Sequence, residues 1–206
     1  MMKEKQVEHD IINAGVQVFV EKGKDGARMQ EIADRAGVNK MLLHYYFKDK
    51  DTLFLEAVKK IVADLYGSVI EESMKALDFK DFLSIFIDRH FDFLNERKDS
   101  FQFLLWELSR KQFDLKNVVS DSYNQYGKNP FEIISGKLNE AIAKGEIRAV
   151  DTREFILNLF SLDLFVFLGM PVIREIVPMD DDALADALTR RKKEVFRLLW
   201  QDIKKN

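Results

Sequence analysis

The stretch that decides the fold is residues 29–47, MQEIADRAGVNKMLLHYYF. Its first half places Ile32 and Ala36 four positions apart with further alanine between them, which predicts a short amphipathic helix. Gly37 is a helix stop, and a second short helix is predicted to begin at Asn39. Two short helices joined by a turn that contains glycine have the spacing of a helix-turn-helix.

The second helix of this pair has two faces of different chemistry. Leu43, Tyr46 and Phe47 share one face, which predicts that they anchor the helix on its neighbours. The opposite face carries a cation, a methionine, a histidine and a tyrosine, namely Lys40, Met41, His44 and Tyr45. Such groups suit the phosphates, base edges and thymine methyl groups of a DNA major groove. Singly, each is an ordinary surface lysine or core tyrosine, so the prediction depends on the whole motif.

The rest of the chain is predicted to be helical as well. A helix over residues 4–22, ended by Gly23, precedes the motif, and a long connecting helix over 49–75 follows it. Downstream helices with apolar residues three and four positions apart are predicted over 79–94, 104–108, 116–144, 152–168 and 181–204. Gly127 and Pro130 are predicted to bend or break the third of these. The fold class is therefore all-α.

Composition restricts the classes of function. A chain of 206 residues with 47% hydrophobic residues can bury a real core in one or two domains. It has no cysteine, which excludes disulfides and thiolate metal sites. The sequence shows no paired acid and base, no nucleophile elbow, no glycine-rich phosphate loop and no metal-ligand cluster. We therefore expect a protein that is not an enzyme and holds neither a cofactor nor a metal.

Charge and hydropathy bear on partners and location. The net charge of -3 excludes a strongly basic protein, but DNA binding needs only a local patch of cations. The most apolar stretch, residues 155–173, is interrupted by Asn158, Ser161 and Asp163, so no membrane span is predicted. The N-terminus lacks the apolar core of a signal peptide, and we expect a cytoplasmic protein.

The run IADRAGVNKMLLHYYFKDKDTLF, residues 32–54, closely resembles the signature of DNA-binding domains of the tetracycline-repressor (TetR) family. The resemblance extends without a gap over about residues 9 to 60. It implies that the second helix enters the major groove, with base or backbone contacts from Arg28, Asn39, Lys40, Met41, Leu42, His44, Tyr45, Tyr46 and Lys50. Tyr46 is ambiguous between core and phosphate. Met41 and Leu42 are larger than the residues that the family commonly has there, so no operator sequence is inherited.

The same resemblance implies the organisation and function of the whole chain. It implies a helix-turn-helix DNA-binding domain over residues 1–50, joined by the helix over 49–75 to a helical ligand-binding and dimerisation domain over 51–206. The expected function is a transcriptional repressor that binds double-stranded, pseudo-palindromic operator DNA as a homodimer and is released by a small apolar or aromatic effector. Two alternatives stay open: a dimeric partner-binding protein that has lost DNA binding, and, least favoured, a helical enzyme.

Two groups of residues beyond the motif are candidates for further sites. A ligand pocket could be lined by the mostly aromatic set Phe82, Phe86, His90, Phe103, Trp106 and Tyr123. Such stripes are more often ordinary core, and we favour a hydrogen-bonded core histidine at position 90. A dimer interface is expected on the last two long helices, at Phe160, Leu164, Phe167, Leu184, Leu188, Val195 and Leu199. Two core helices of a monomer are the alternative.

Overall fold

A computed structural model describes residues 2–123 and 130–205 of the chain. The α-helices that it describes are, in chain order, α1 (Met2–Gly26), α2 (Met29–Arg35), α3 (Lys40–Tyr46), α4 (Lys50–Ser73), α5 (Phe79–Glu96), α6 (Lys98–Ser109), α7 (Leu115–Tyr123), α8 (Pro130–Lys144), α9 (Thr152–Ile176) and α10 (Asp181–Ile203). No strand is present in this described part, where one isolated bridge pairs Ile147 with Lys204. The predicted all-α fold class is confirmed.

The helices form two compact units that are not continuous in sequence. The first unit contains α1 to α3, α4 up to Asp64, α6 from Asp99, and α7. The second contains the end of α4 from Leu65, α5, and α8 to α10. These units are defined by which helices pack together. The predicted boundary at residue 50 separates a DNA-binding from a ligand-binding domain, and it stays a prediction.

The first unit is built on aromatic packing behind the helix-turn-helix. Phe19 of α1 and Phe54 of α4 are fully buried and meet edge to face, with ring centroids 5.3 Å apart. Phe103 of α6 extends the contact, since its centroid lies 6.1 Å from that of Phe54. Edge-to-face pairs add about 0.5–1.5 kcal/mol to the hydrophobic gain from burying such rings. This core supports α2 through the buried Ile32 and α3 through the buried Leu43.

The end of α1 differs from the prediction. Gly23 was expected to stop the helix, and it has φ 69° and ψ 171°, but helical turns resume after it and run to Gly26. Positive φ is costly for residues that carry a Cβ, so glycine permits this kink. The amide of Lys24, which the kink turns out of the helix, donates to Oε1 of the buried Glu107 at 3.2 Å. A partner on another helix thus replaces the lost helical bond.

The second unit has α5 at its centre, packed against α8, α9 and α10. The predicted stripe of α5 is buried as expected, at Phe79, Phe82, Leu83, Phe86, Ile87, His90, Phe91 and Leu94. Within the predicted helix over 116–144, the structure describes α7 up to Tyr123 and α8 from Pro130, while Gly127 lies outside the described residues. The missing amide hydrogen of Pro130 costs no helical bond at the start of α8. α9 runs to Ile176, eight residues beyond its predicted end at 168. No helix within the described ranges is long and apolar enough to span a bilayer.

Candidate nucleic-acid interface

The start of α3 is fixed by its capping residue. Oδ1 of Asn39 accepts a hydrogen bond from the amide of Leu42 at 2.8 Å, which satisfies one of the free donors at the helix start. Asn39 was predicted as a DNA contact, and the structure gives its oxygen to the cap. Asn39 is itself exposed, and its side-chain NH₂ group takes no part in this capping hydrogen bond.

The buried face of α3 sets which side chains point outward. Leu43 is fully buried and Phe47, the residue after the helix, is 3% exposed. Met41 is 83% exposed and Tyr45 is 80% exposed, with Lys40 and His44 exposed beside them. Nδ1 of His44 lies 3.2 Å from the carbonyl oxygen of Lys48, which restrains the imidazole near the end of the helix. The helix therefore presents the four predicted groups together on one open face.

Leu42 and Tyr46 lie at the border of this face, because both are half-buried. The ring of Tyr46 meets that of Tyr45 edge to face at 5.4 Å between centroids. Partial burial, and then the negative charge of Glu4 on α1, raise the pKa of the Tyr46 hydroxyl above its usual value. Tyr46 therefore lies between the buried and the exposed side of α3, so the choice between a core residue and a phosphate contact stays open.

The two predicted phosphate contacts outside α3 differ from each other. Arg28 is exposed immediately before α2, and its side chain makes no capping hydrogen bond to that helix. Lys50 is half-buried, and its Nζ donates to the carbonyl oxygens of Asp25 and Ala27, each at 3.3 Å. Lys50 therefore holds the connection between α1 and α2, which is a role that the sequence did not indicate.

The position of α2 is also supported by ion pairs to α1 in the first unit. Arg35 binds Glu21 at 2.5 Å between Nη1 and Oε1, and Lys22 binds Glu31 at 2.7 Å. These pairs are partly exposed, and exposed ion pairs contribute little to stability. Burial of the aromatic core is worth more, at about 1.5–3 kcal/mol for each large side chain. Packing is therefore the main support of the helix-turn-helix, and the ion pairs add to the contact between α1 and α2.

A third set of contacts ties α6 to the end of α1. Besides the bond between Lys24 and Glu107, Nη2 of Arg110 lies 2.5 Å from Oδ2 of Asp25. Nζ of Lys24 donates to Oε1 of Gln112 at 3.3 Å. These contacts were not predicted from the sequence. The signal that could have indicated them is Glu107, an acid on the apolar side of a helix. The residues just before α2 are therefore held by α4 and by α6.

The predicted ligand-pocket residues do not form one group. Phe82 and Phe86 stack in the second unit at 6.2 Å, whereas Phe103 belongs to the core of the first unit. Trp106, also in the first unit, is 62% exposed, so it lines no enclosed pocket there. The side chain of Tyr123 lies outside the described residues. The residues thus fall in two units, and a single lining from all six stays a prediction.

The interpretation of His90 as a core histidine agrees with its surroundings. Both His90 and Asp163 of α9 are fully buried, and Nδ1 of the histidine is hydrogen-bonded to Oδ2 of the acid. Burial raises the pKa of Asp163, while the bond to His90 acts in the opposite direction. The sequence showed Asp163 only as an interruption of an apolar helix. An acid in such a helix and a histidine on another apolar face are the signal that could have paired them.

The predicted dimer residues need correction at three positions. Phe167, Val195 and Leu199 are already buried within the single chain, at 9%, 0% and 6% exposure, so they cannot supply a surface to a partner. The other four, Phe160, Leu164, Leu184 and Leu188, are half-buried. The exposed apolar residues of α9 are instead Leu157, Phe165, Leu168, Val172, Ile173 and Ile176.

Comparison with known proteins agrees with the helix-turn-helix geometry. Residues 11–57 match the family model described as bacterial regulatory proteins, tetR family. The fatty acid metabolism regulator protein of Bacillus subtilis is 26% identical over 148 residues, which are 71% of this chain and 74% of that protein. The negative regulator IcaR of the icaADBC biofilm operon of Staphylococcus aureus is 26% identical over 198 residues, covering 95% and 98% of the two chains.

A solved structure extends the likeness to the fold. The regulator FadR of Bacillus subtilis, in complex with stearoyl-CoA, has a TM-score of 0.65 and 23% identity, over 93% of this chain and 96% of that one. With an exposed second helix on a buried helix-turn-helix scaffold, the chain is a DNA-binding transcriptional regulator and not an enzyme. Residues 11–57 are the part of the chain that matches the tetR family of bacterial regulatory proteins.

Proposed function

We propose that this regulator is a homodimeric repressor that binds a pseudo-palindromic operator and leaves it when a small apolar effector binds. IcaR is a negative regulator by name, which supports repression. Steric exclusion of polymerase from a promoter that contains the operator is the simplest physical route to it. Because its target is chromosomal DNA, we place the protein in the bacterial cytoplasm.

The observation that carries the proposal is the open face of α3. Met41 and Tyr45 expose about four-fifths of their surface while the other side of the same helix is buried. We assign Met41 to thymine methyl groups, His44 to base edges, and Lys40 and Tyr45 to base edges or phosphates. Arg28 at the start of α2 is assigned to a phosphate, where the helix N-terminus also favours an anion.

The homodimer is proposed on α9. Its exposed apolar residues Leu157, Phe165, Leu168, Val172 and Ile176 recur three to eight positions apart and so share one side of the helix. A continuous apolar stripe of this kind is typical of a helix that a partner covers. A two-fold related copy would set two recognition helices about one DNA turn, roughly 34 Å, apart.

The effector is proposed to bind in the aromatic core of the second unit. FadR of Bacillus subtilis was solved with stearoyl-CoA, a ligand with a long apolar chain. In this chain, the rings of Phe86, Phe131 and Phe160 around His90 offer apolar surface for such a ligand. A coupling of about 1–3 kcal/mol between effector and operator would change DNA affinity about 5- to 150-fold.

The test of DNA binding uses the full chain and fragmented genomic DNA that includes its own promoter region. Selected fragments should share a pseudo-palindrome, and the logarithm of affinity should fall linearly with the logarithm of salt concentration. Stearoyl-CoA and its isolated components are then added to the bound complex. Binding that shows neither sequence selection nor salt dependence would contradict the proposal.

The test of the dimer is sedimentation at micromolar concentration. Val172→Asp changes an exposed position of the α9 stripe and should convert a dimer to monomers, because a charge would be buried without a partner. Leu77→Asp is the control, since Leu77 is 96% exposed outside the stripe. A wild-type monomer, or a Val172→Asp dimer of unchanged affinity, would refute the surface.

A further inference from the structure

Two buried polar atoms of the second unit have complementary chemistry and no hydrogen-bond partner within the part of the chain that the structure describes. Oδ1 of Asp163 and Nε of Arg191 are both shielded from solvent, and neither has a hydrogen-bond partner among the described protein atoms. The first can only accept a hydrogen bond when the acid is ionised, and the second can only donate one. A buried polar group left in this state costs about 1–3 kcal/mol. A ligand group that both donates and accepts a hydrogen bond would remove the free-energy cost at both atoms.

The two atoms belong to one cluster on α9 and α10. Nη2 of Arg191 donates to the carbonyl oxygen of Leu162 at 3.1 Å, which places the guanidinium beside the residue that precedes Asp163. Burial raises the pKa of Asp163, and the positive charge of Arg191 is among the influences that oppose this rise. His90 occupies the other carboxylate oxygen. Within this cluster, Oδ1 of Asp163 is left as an acceptor and Nε of Arg191 as a donor.

Aromatic rings enclose this cluster on the side of His90. The ring of Phe86 lies 5.5 Å from His90 and that of Phe160 lies 5.7 Å from it, both between centroids. Phe131, which is 43% exposed, contacts Phe160 at 5.4 Å. Contacts between rings therefore connect the exposed Phe131 with Phe160, and Phe160 with the buried His90. Because Asp163 is fully buried, a ligand reaches it only if a neighbour such as the half-buried Phe160 turns aside.

Charge balance decides between a charged and a neutral ligand group. Burial raises the pKa of Asp163, while its hydrogen bond to His90 and the positive charge of Arg191 act in the opposite direction, so this carboxyl group already has polar and cationic neighbours. An additional full charge brought into this enclosed place would lose its hydration without an unmatched opposite charge to bind. A hydroxyl or a carboxamide donates one hydrogen bond and accepts another without adding charge.

We infer that Asp163 and Arg191 form a recognition site for the polar end of a neutral, otherwise apolar effector that carries a hydroxyl or carboxamide group. Its donor binds Oδ1 of Asp163, its acceptor binds Nε of Arg191, and its apolar body lies among Phe86, Phe131 and Phe160. The regulatory meaning of this site rests on the proposed effector control of DNA binding, whereas the binding event can be measured without DNA.

The experiment titrates the full-length protein by calorimetry with four probes that share an eight-carbon chain. 1-Octanol and octanamide can donate and accept, methyl octanoate can only accept, and octylammonium can only donate. We expect the first two to bind at least about 10-fold more tightly than the other two, because each of the latter leaves one buried atom unpaired. Equal affinities, or no binding by any probe, overturn the inference and leave a bridging water as the occupant of the cluster.

A matched pair of variants locates the site. Arg191→Met keeps the length of the side chain and removes the donor, so the preference for octanol over methyl octanoate should fall to less than about 3-fold. Arg190→Met is the control, because Arg190 is exposed and forms its ion pair with Asp186 on its own helix, at 3.9 Å. Retention of the preference in Arg191→Met also overturns the inference. If Arg191→Met fails to fold, the order of the four probes on the wild-type protein still decides.

The DNA assay separates this inference from the proposed function. Selective operator binding without any preference among the probes contradicts the site and leaves the regulator intact. A clear preference among the probes, with no selective DNA binding, supports the site and contradicts the repressor. Octanol that binds and also lowers operator affinity agrees with both.

Discussion

The exposed face of α3 and the buried cluster of α5 and α9 use similar polar groups in opposite ways. On α3, Lys40 and His44 stand in solvent on a helix whose other side is packed. In the second unit, His90 and Asp163 are fully enclosed and bonded to each other. A surface that binds a rigid polymer can stay open, whereas a site for a small molecule must exclude water. A histidine therefore faces solvent in one place and is bonded within a core in the other.

The largest effect is expected in the buried cluster. Asp163→Ala removes the acid bonded to His90 and should lower the free energy of unfolding by about 3–5 kcal/mol, as for other broken buried pairs. Urea unfolding followed by circular dichroism measures it. The double change of His90→Phe with Asp163→Leu should recover most of the loss, because packed apolar residues can replace a buried pair.

A control on the same helix makes this result specific. Asn158→Ala lies at an exposed position of α9 and should change stability by no more than about 0.5 kcal/mol. If Asp163→Ala costs no more than this control, the buried pair does not contribute to the stability of the second unit, and the contrast with α3 fails.

The next effect concerns the open face. Replacing both Lys40 and His44 by Ala should lower affinity for the selected operator by at least about 100-fold, since good base contacts are each worth about 1–3 kcal/mol. Fluorescence anisotropy measures it, and the urea midpoint should not move because both side chains are exposed. Lys116→Ala, at an exposed position of α7, is the control for loss of one positive charge. Selective binding that survives the double change would show that α3 presents another face to DNA.

The contrast between the two regions also explains what the sequence could predict. The helix-turn-helix depends on residues within one short stretch, where apolar spacing, Gly37 and the capping Asn39 all act locally. The outward direction of Lys40 and His44 followed from the same spacing. Local rules were sufficient there because the buried and open faces alternate within two turns of one helix.

The buried cluster depends on long-range pairing that the sequence did not reveal. His90 and Asp163 are 73 positions apart. α9 is apolar nearly all round, so its pattern could not tell which side faces its own core and which is exposed. For the same reason Phe167 was assigned to a dimer surface although it is buried, while the exposed Phe165 was missed. Lys50, predicted to bind phosphate, was likewise placed by contacts 23 and 25 positions away.

A smaller effect distinguishes the two roles of Lys50. As a clamp on the carbonyl oxygens of Asp25 and Ala27, it should contribute about 1 kcal/mol to stability, and Lys50→Met should lose that amount. As a phosphate contact, its loss would instead reduce the slope of log affinity against log salt by about 1. We expect the stability change with an unaltered slope. Lys48→Met, at an exposed position, should leave stability unchanged.

The smallest effect is expected from the pair of Glu21 and Arg35, and it should depend on pH. The hydrogen bond from Arg35 lowers the pKa of Glu21 in the folded chain below its usual value. A lowered pKa means that the folded state favours the ionised acid, so the pair stabilises above the unfolded pKa, about 4.3, and this contribution disappears as the pH falls through the folded value. Arg35→Gln should therefore differ from wild type in urea midpoint at pH 7, and the difference should shrink towards pH 3. A difference that grows on acidification would contradict this assignment, as would one unaffected by 1 M salt, because the pair is exposed and should be screened.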